Sequence, residues 1–386
     1  MNKLKKLSAV LAALILAFAF VSCINNANTN DDQPNQQSAS AKPAPTEPGF
    51  GALTTLKAVE GFERVYTVEY DGDYLLDSLI AANLKTDVEL IQYLTVNIPS
   101  WKLAKESGIP LTINVTGAGC SSITANNAGP AGGKIFGRNF DYTDGSAIII
   151  HTMPYEGYES VSTSYPWFIT GDLDWEPTNN VETDAVALGL IYAPLDGMNE
   201  KGLYISILQL DDENTNQTDP NKNDVQTTVA VRYLLDKAAS VDEALEILSN
   251  FNMHNVYDTA YHYAIADNTG KSVVVEYINN EMKVADAKVV TNHYLVPNSG
   301  KDLPESTNSS IIRYNTAYQA GTDCNWNMTP AMMRDTLSAV SVKKQNPWGT
   351  HITIWSAVYE PNSKKVTYYF RKDYTKAAEV TFGVSK

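Results

Sequence analysis

Cys120 carries the chemistry that this sequence suggests most clearly, because it follows Gly119 directly and is one of only three cysteines in 386 residues. If the Gly119–Cys120 peptide bond breaks, Cys120 gains a free α-amine beside its thiol. The ordinary pKa values are about 7.7–8.0 for an α-amine and about 8.5 for a thiol, so a proton can pass between them near neutrality. One residue then supplies both the nucleophile and its base, which predicts an amide hydrolase that cleaves its own chain.

Arg138 and Asp141 are the charged residues that a hairpin would return to Cys120. Arg138 would stabilise the thiolate and lower the pKa of the thiol. Asp141 comes three residues later, which in a regular strand places it on the opposite face. The alternative interpretation of Arg138 and Asp141 is a structural ion pair, and the upstream Cys120 is what favours the catalytic one.

The elements that must position these residues change in character at Cys120. Between residues 50 and 119, apolar residues recur at roughly helical spacing, and the segment is predicted to be mostly helical. From residue 120 the pattern indicates strands, with a hairpin whose return strand is 135–140 and a further strand at 147–153. Residues 186–193 and 203–210 are predicted to form a strand pair. The apolar residues at helical spacing are Leu75, Leu79, Val88, Ile91 and Leu94.

The second half of the chain alternates between helical and strand patterns. Ser240 and Glu243 match a capping box and begin a predicted helix after another at 227–239. Two more hairpins and a short helix follow. Helices that are segregated from mostly antiparallel strands favour an α+β fold over a doubly wound parallel sheet. The predicted hairpins are 261–266 with 272–277 and 351–359 with 365–370, and the short helix is 329–340.

Cys120-Ser-Ser-Ile followed by Gly137-Arg-Asn-Phe-Asp141 resembles the amino-terminal nucleophile hydrolases of the choloylglycine hydrolase group. This group includes bile salt hydrolases, penicillin V acylases, N-acylethanolamine acid amidase, acid ceramidase and the isopenicillin-N acyltransferase relatives. Further segments resemble the group in the same order, and together they cover about residues 115–375. They are Asp-Gly-Met-Asn-Glu-Lys-Gly-Leu at 196–203, Val-Thr-Asn-His-Tyr-Leu at 290–295, Ser-Ser-Ile-Ile-Arg-Tyr at 309–314 and Thr-Ile-Trp-Ser-Ala-Val-Tyr at 353–359.

The resemblance implies a four-layer αββα sandwich with Cys120 at the end of a central strand. It also implies a turn that brings Asp141 to the α-amine or thiol. Asn292 would donate to the oxyanion through its side chain, and Asn199 through its backbone N–H. Arg313 would be a positioning charge beside the nucleophile. The alternatives are an ordinary turn at Asn199 and a helix-surface arginine at Arg313.

Several other kinds of site are disfavoured by the sequence. A Cys–His hydrolase would use a histidine as its base, but none of the histidines has a local signature for that role. Metal-ligand spacings and phosphate loops are absent from the sequence, so no cofactor is implied. A net charge of -15 without a basic stripe argues against nucleic acid as a partner. Cys324 is interpreted as structural or incidental. The histidines are His151, His254, His262, His293 and His351.

The N-terminus resembles an export signal that ends in a lipobox. Lys3, Lys5 and Lys6 precede an apolar run at 7–20, and Cys23 follows a small residue. Lipidation of Cys23 would anchor the protein to a membrane, whereas an ordinary secretory signal is the alternative. The predicted organisation is a lipoprotein signal peptide at 1–22, the lipidated Cys23 and a disordered tether at 23–49, a propeptide or small subunit at 50–119, and the catalytic domain at 120–386.

Together these features predict an exported, lipid-anchored protein of the bacterial cell envelope that hydrolyses a linear, non-peptide amide. Bile salt conjugates, penicillin V, N-acyl homoserine lactones and fatty amides all fit this chemistry as substrates. The choice among them depends on the loops that shape the pocket. Acyl transfer is a second enzymatic alternative. A ligand-binding surface lipoprotein without activity is the alternative from another class. The oligomeric state stays open, with a homo-oligomer among the alternatives.

Overall fold

The computed structural model describes residues 55–98, 118–180, 184–210, 212, 214–256, 259–297, 309–347 and 349–383. The predicted signal peptide, Cys23 and the predicted tether lie outside these residues. In the part of the chain that is described, none of the helices is both long enough and apolar enough to cross a bilayer.

Within the described residues, nine strands form one sheet, which we call sheet A. Most neighbours are antiparallel, and the pair β2–β5 is parallel. The order across the sheet is β1-β2-β5-β6-β7-β8-β11-β12-β13. These strands are β1 (Lys57–Ala58), β2 (Val65–Asp71), β5 (Ala147–Met153), β6 (Ser160–Ser164), β7 (Asp196–Asn199), β8 (Tyr204–Gln209), β11 (Tyr261–Ala266), β12 (Ser272–Ile278) and β13 (Glu281–Asp286).

A second sheet, sheet B, contains the strand that begins at the candidate nucleophile. Its main order is β14-β3-β4-β17-β18-β19, with β15 paired to β3 and β16 paired to β17. The strands are β3 (Gly119–Asn127), β4 (Lys134–Thr143), β14 (Val289–Val290), β15 (Asn327–Met328), β16 (Lys343–Asn346), β17 (Gly349–Glu360), β18 (Lys365–Phe370) and β19 (Asp373–Thr381). Two further strands, β9 (Asn223–Gln226) and β10 (Phe251–His254), form a separate parallel pair.

Three of the described helices begin where a short polar side chain caps them. Thr86 accepts from the N–H of Glu89 in a capping box, and Ser240 and Thr329 accept in the same way from the residues three positions later. The helices of the described residues are α1 (Leu76–Ala81), α2 (Asp87–Asn97), α3 (Trp167–Thr170), α4 (Thr227–Lys237), α5 (Val241–Ser249), α6 (Ser309–Asp323) and α7 (Pro330–Ala339), and Ala185–Tyr192 and Pro361–Ser363 are 3₁₀ segments.

The helices and the two sheets pack in layers through their apolar faces. Helix α4 packs on β7 and β8 of sheet A, whereas α6 and α7 pack on β3, β4 and β17 of sheet B. The two sheets face each other across the main core, where Phe136 of β4 stacks on Tyr204 of β8 with ring centroids 5.1 Å apart. The predicted α+β fold with four αββα layers is therefore confirmed, as are the hairpins β3–β4, β11–β12 and β17–β18.

One prediction about local structure is wrong. Residues 186–193 were expected to form a strand, but Ala185–Tyr192 is a 3₁₀ segment. This run is almost uniformly apolar, so it lacks the alternation that separates a strand from a buried helical segment. The segment 50–119, predicted to be mostly helical, lies partly outside the described residues, and its described part contains β2, a strand inside sheet A, in addition to α1 and α2.

Strand β2 makes the segment before Cys120 part of the core. Val65 and Val68 have no exposed surface. Arg64 forms ion pairs of 2.8 Å with both Asp144 and Asp174, which lie after Cys120 in the chain. Tyr74 donates a hydrogen bond to the buried carboxylate of Asp236 on α4. The segment therefore packs as an integral layer element rather than as a surface attachment.

We expect Val68→Asp to lower the free energy of unfolding by at least about 3 kcal/mol, because it places an unpaired charge in the core. Val96→Asp is the matched control, since Val96 lies on α2 and is 81% exposed. Denaturant unfolding of both variants checks the prediction. Equal stability losses would contradict the integral position of β2.

Candidate active site

Cys120 is the second residue of β3 and is 2% exposed. It pairs with Phe140 of β4, and side chains alternate along a strand, so its thiol lies on the face that looks toward sheet A. Arg138 of β4 lies on the same face and is fully buried. Its Nε donates to Asp196 Oδ2 of β7 at 3.3 Å and its Nη2 to the carbonyl of Ile207 at 2.9 Å. A guanidinium is thus fixed between the sheets beside the thiol.

Burial is the largest influence on the thiol of Cys120, and it raises the pKa above the ordinary value. The charge of Arg138 lowers the pKa, Asp141 raises it, and Arg313 lowers it. Arg138 therefore acts in the direction that the sequence predicted, but in this uncut chain it does not overcome desolvation. Asp196 holds Arg138 in place. The carboxylate of Asp196 is held in turn by the hydroxyl of Tyr359 and the indole N–H of Trp355, which both donate to it.

The main chain of Cys120 is held at both of its polar groups. Its N–H donates to Asn292 Oδ1 at 2.7 Å, and its carbonyl accepts from Nη1 of Arg313 on α6. Arg313 Nη1 also donates to Ser121 Oγ at 2.9 Å, and Nη2 donates to Asn292 Oδ1 at 2.9 Å. The structure therefore brings Asn292 and Arg313 together at Cys120, and Arg313 is 7% exposed rather than on a helix surface.

Asp141 contacts the residue before Cys120. It pairs with Gly119 in the β3–β4 ladder, and its Oδ1 accepts from Thr353 Oγ1 at 2.5 Å. Its Oδ2 is buried, lies 4.0 Å from Arg313 Nη1 and has no hydrogen-bond partner among the described residues. A Cβ at position 119 would come within 2.8 Å of this oxygen, so only glycine permits the close approach. A buried carboxylate oxygen is thus aimed at the Gly119–Cys120 region.

Asp141 reaches this position without the turn that was expected. Strand β4 continues regularly to Thr143, so Arg138 and Asp141 lie on opposite faces, as their spacing requires. A β-bulge in β17 places Thr353 and Trp355 on opposite faces of sheet B, because the register with β4 shifts between these two residues. Thr353 can therefore reach Asp141 while Trp355 reaches the carboxylate that binds Arg138.

Asn199 is engaged in the turn after β7. Its Nδ2 donates to the carbonyls of Leu235 and Ala238 at 2.9 and 2.7 Å, and its Oδ1 accepts from the N–H of Lys201 and of Leu203. Its own N–H donates to the carbonyl of Leu203. These contacts favour the alternative, turn chemistry, and the oxyanion role of Asn199 stays a prediction.

Gln209, at the end of β8, is a residue that sequence reasoning missed. Its Oε1 accepts from the N–H of Ala118 at 2.7 Å, and its carbonyl accepts from Asn292 Nδ2 at 2.8 Å. It therefore holds both the chain just before Gly119 and the amide that binds Cys120. No local pattern marks Gln209, because it meets these partners only through the packing of β8 against β3.

The histidines do not support a Cys–His arrangement in the described part of the chain. His151 and His254 bind carboxylates, Glu159 and Asp224 respectively. His293 follows Asn292 but turns toward α6, where its Nδ1 lies 2.8 Å from Ser310 Oγ. Burial, and then the charge of His262, lower the pKa of His293 to about 4. The remaining ones are His262, which is buried against Glu276, and His351, whose pKa is lowered mainly by burial.

A cleft of about 700 Å³ lies away from this site, beside the far end of β3. Its lining includes Asn126, Lys288 and Trp326 but none of the residues that contact Cys120. We therefore assign no acyl-binding role to it. Among the described residues, no three side chains of His, Cys, Asp or Glu are grouped so that they could hold a metal ion.

Comparison with known families matches residues 129–374 to "Acyl-coenzyme A:6-aminopenicillanic acid acyl-transferase". The match begins after Cys120 and includes Arg138, Asp141, Asn292 and Arg313. Among curated proteins, the chain is 30% identical over 114 residues to a penicillin V acylase of Pectobacterium atrosepticum, covering 27% of this chain and 30% of the relative. It is 32% identical over 109 residues to a bile salt hydrolase/transferase of Clostridium perfringens, covering 24% and 31%. These matches therefore span less than a third of either relative.

Solved structures of two variants of conjugated bile acid hydrolase from Clostridium perfringens have the same fold. Each superposition covers 68% of this chain and 92% of the other. The TM-scores are 0.50 and 0.51 at 17% and 16% identity. The likeness confirms the amino-terminal nucleophile hydrolase fold.

We expect Arg138→Met to move the pH at which Cys120 is half-alkylated upward by about one unit, because the charge of Arg138 lowers the thiol pKa. Iodoacetamide labelling followed by peptide mass spectrometry measures this. Cys324, which follows the last residue of α6, is the internal control and should label identically in both proteins. An unchanged profile at Cys120 would show that the guanidinium does not act on the thiol.

Proposed function

The chain belongs to the acyl-coenzyme A:6-aminopenicillanic acid acyl-transferase family within the choloylglycine hydrolase group, and we propose that it is a self-processing amide hydrolase whose nucleophile is the thiol of Cys120. The observation that most supports the proposal is that three polar side chains gather at one peptide bond, Gly119–Cys120. Asn292 and Arg313 hold the main chain of Cys120, and the unpaired oxygen of Asp141 lies against Gly119.

Self-processing begins when the thiol of Cys120 adds to the carbonyl carbon of Gly119. A C–S bond forms, the C–N bond breaks, and the nitrogen takes the proton that the thiol gives up. Water then hydrolyses the thioester, which releases the carboxylate of Gly119 and restores the thiol. The new α-ammonium of Cys120 gains an acceptor in Asp141 Oδ2, which has no hydrogen-bond partner among the described residues of the uncut chain.

In turnover, the α-amine of Cys120 takes the proton of the thiol as the sulfur attacks the acyl carbonyl, and passes it to the leaving amine. Water hydrolyses the resulting thioester. Asn292 Nδ2 carries two hydrogens, of which one bonds the carbonyl of Gln209, so the second can donate to the oxyanion. Loss of one such donor typically costs about 10²–10³ in rate. Arg138 stabilises the thiolate from the inter-sheet face.

The substrate class follows from the relatives only as part of this proposal. A penicillin V acylase and a bile salt hydrolase/transferase are among the proteins that the chain resembles. We therefore propose a linear, non-peptide N-acyl amide, with penicillin V, bile salt conjugates, N-acyl homoserine lactones and fatty amides as candidates. Pocket loops choose among them.

Acyl transfer is the second candidate function, because the matched family takes its name from an acyl-transferase. Hydrolysis and transfer share the thioester and differ in whether water or an amine attacks it. Turnover of penicillin V with increasing concentrations of 6-aminopenicillanic acid or another amine acceptor separates them. A product that contains the acceptor in proportion to its concentration favours transfer, and free acid alone favours hydrolysis.

The segment before Cys120 remains bound in this proposal, because β2 lies inside sheet A and Tyr74 bonds Asp236. The lipobox at Cys23 would then place the anchor on the smaller fragment. Retention of that fragment would tether the enzyme to the membrane of a bacterial cell envelope.

Cys120→Ala should leave the chain uncut and without amidase activity, because both reactions need the thiol. Cys120→Ser should be cut slowly at best, since a hydroxyl is a poorer nucleophile than a thiol near neutral pH. Cys324→Ser is the matched control and should behave like the wild type. Intact-mass spectrometry and release of amine from penicillin V measure the two reactions. Wild-type turnover by a chain that is continuous through Cys120 would refute the mechanism, and an uncut, inactive wild type would favour a binding protein.

The two fragments of the processed protein should co-elute in size-exclusion chromatography under native conditions and separate in denaturant. The reason is that the β2–β5 ladder and the ion pairs of Arg64 survive cleavage at Cys120. Val68→Asp should weaken this association, whereas the exposed Val96→Asp should not. Loss of the small fragment from the native wild type would identify it as a released propeptide.

A further inference from the structure

We propose that the buried pair His262–Glu276 is a positioning device that holds the segment 291–296, and through it the side-chain amide of Asn292, against Cys120. This inference rests on the proposed function and names residues that it does not use. His262 lies on β11 and Glu276 on β12, and both have no exposed surface. The distance from His262 Nδ1 to Glu276 Oε1 is 3.1 Å.

The other bonding partners of the pair lie on the segment that follows β14. His262 Nε2 lies 2.7 Å from the carbonyl oxygen of Thr291, which can only accept, so Nε2 carries a hydrogen. Glu276 accepts from the N–H of Leu295 at 2.7 Å and of Val296 at 3.0 Å. The two side chains thus form one hydrogen-bonded pair between the carbonyl of Thr291 and the N–H groups of Leu295 and Val296.

Other charged and titratable groups lie near the pair. His293 faces it from the segment itself, and burial, followed by the charge of His262, lowers the pKa of His293 to about 4. Arg313 on α6 lies beyond His293 and adds a positive charge. Tyr294 faces Glu276 and bonds Asp212, a second carboxylate near the segment. Glu276 is the carboxylate that contacts His262 directly.

The segment 291–296 needs such a device because it follows the two-residue strand β14 and contains no strand or helix of its own. Three of its main-chain groups are held by the pair: the carbonyl of Thr291 and the N–H groups of Leu295 and Val296. These contacts lie on both sides of Asn292. Asn292 Oδ1 accepts from the N–H of Cys120. Its position is thus fixed by His262 and Glu276, which bind the main chain around Asn292 and do not contact Cys120.

The buried pair His254–Asp224 offers a matched control. It has a similar separation, 2.8 Å, and is also buried, but its bonds lead to β9 and β10 rather than to Asn292. His262→Gln keeps a donor that can reach Thr291 but removes the donor to Glu276. His254→Gln removes one partner of an equivalent pair. A purely structural role for His262 predicts that the two variants lose stability and activity alike.

The first measurement is hydrogen exchange of the peptide that contains 291–296 in the full chain. We expect at least about tenfold faster exchange at Leu295 and Val296 in His262→Gln and no change there in His254→Gln. The second measurement is penicillin V turnover by the processed protein. We expect kcat to fall at least about tenfold in His262→Gln with little change in KM, because the substrate still binds while Asn292 is misplaced.

A third measurement separates positioning from stability. An acceptor on the α-ammonium of Cys120 stabilises its charged form, so displacement of Asn292 Oδ1 lowers the amine pKa. The acid limb of kcat/KM should move to lower pH by about one unit in His262→Gln and should stay in place in His254→Gln. If His262→Gln does not fold, Glu276→Gln takes its place, since it keeps the side-chain size and loses one acceptor.

Unchanged exchange at 291–296 in the folded variant would overturn the inference whatever the activity. Faster exchange with kcat and the acid limb equal to those of His254→Gln would overturn the link to Cys120. If the wild type neither cleaves itself nor hydrolyses an amide, the proposed function is wrong, and the exchange measurement alone then decides whether the pair holds the segment.

Discussion

The hydrogen bonds that hold the main chain of Cys120 are the interaction on which the rest of the site depends. A nucleophile at the start of a strand lacks the regular ladder on its outer side, so its N–H and carbonyl need other partners. Asn292 and Arg313 supply them, and the two residues also bind each other. The segment after β14 and the first turn of α6 must therefore meet at one point of β3, which constrains how sheets A and B are connected.

Charge burial explains why so many polar groups surround one thiol. Arg138 is fully buried, and a buried guanidinium is tolerated only with a paired anion and satisfied donors. Asp196 supplies the anion and is itself held by Tyr359 and Trp355. The same rule applies behind Asn292, where Glu276 is bonded by a histidine and by two backbone N–H groups. The site is thus supported by two buried polar pairs, Arg138–Asp196 and His262–Glu276.

The comparison of sequence and structure separates local from non-local information. The hairpin of β3 and β4, the capped helix after Ser240 and the hairpin around 267–270 were all predicted, because turn residues and capping residues act within a few positions. The strand β2 was not predicted, since its neighbour β5 lies far along the chain. The run 186–193 was misassigned because a continuous apolar pattern does not distinguish a strand from a helical segment.

The sequence by itself determined the candidate nucleophile, the residue types around it and the α+β class, because Gly119-Cys120, the Arg138–Asp141 spacing and the order of motifs are local features. Only the tertiary structure decided which residues meet. It brought Arg138 to Asp196 and Asp141 to Gly119, engaged Asn199 in a turn, and placed Gln209 and the His262–Glu276 pair where they support Cys120 and Asn292. These outcomes depend on strand register, on the β17 bulge and on buried polar groups finding partners, and none of these is encoded within a short stretch of chain.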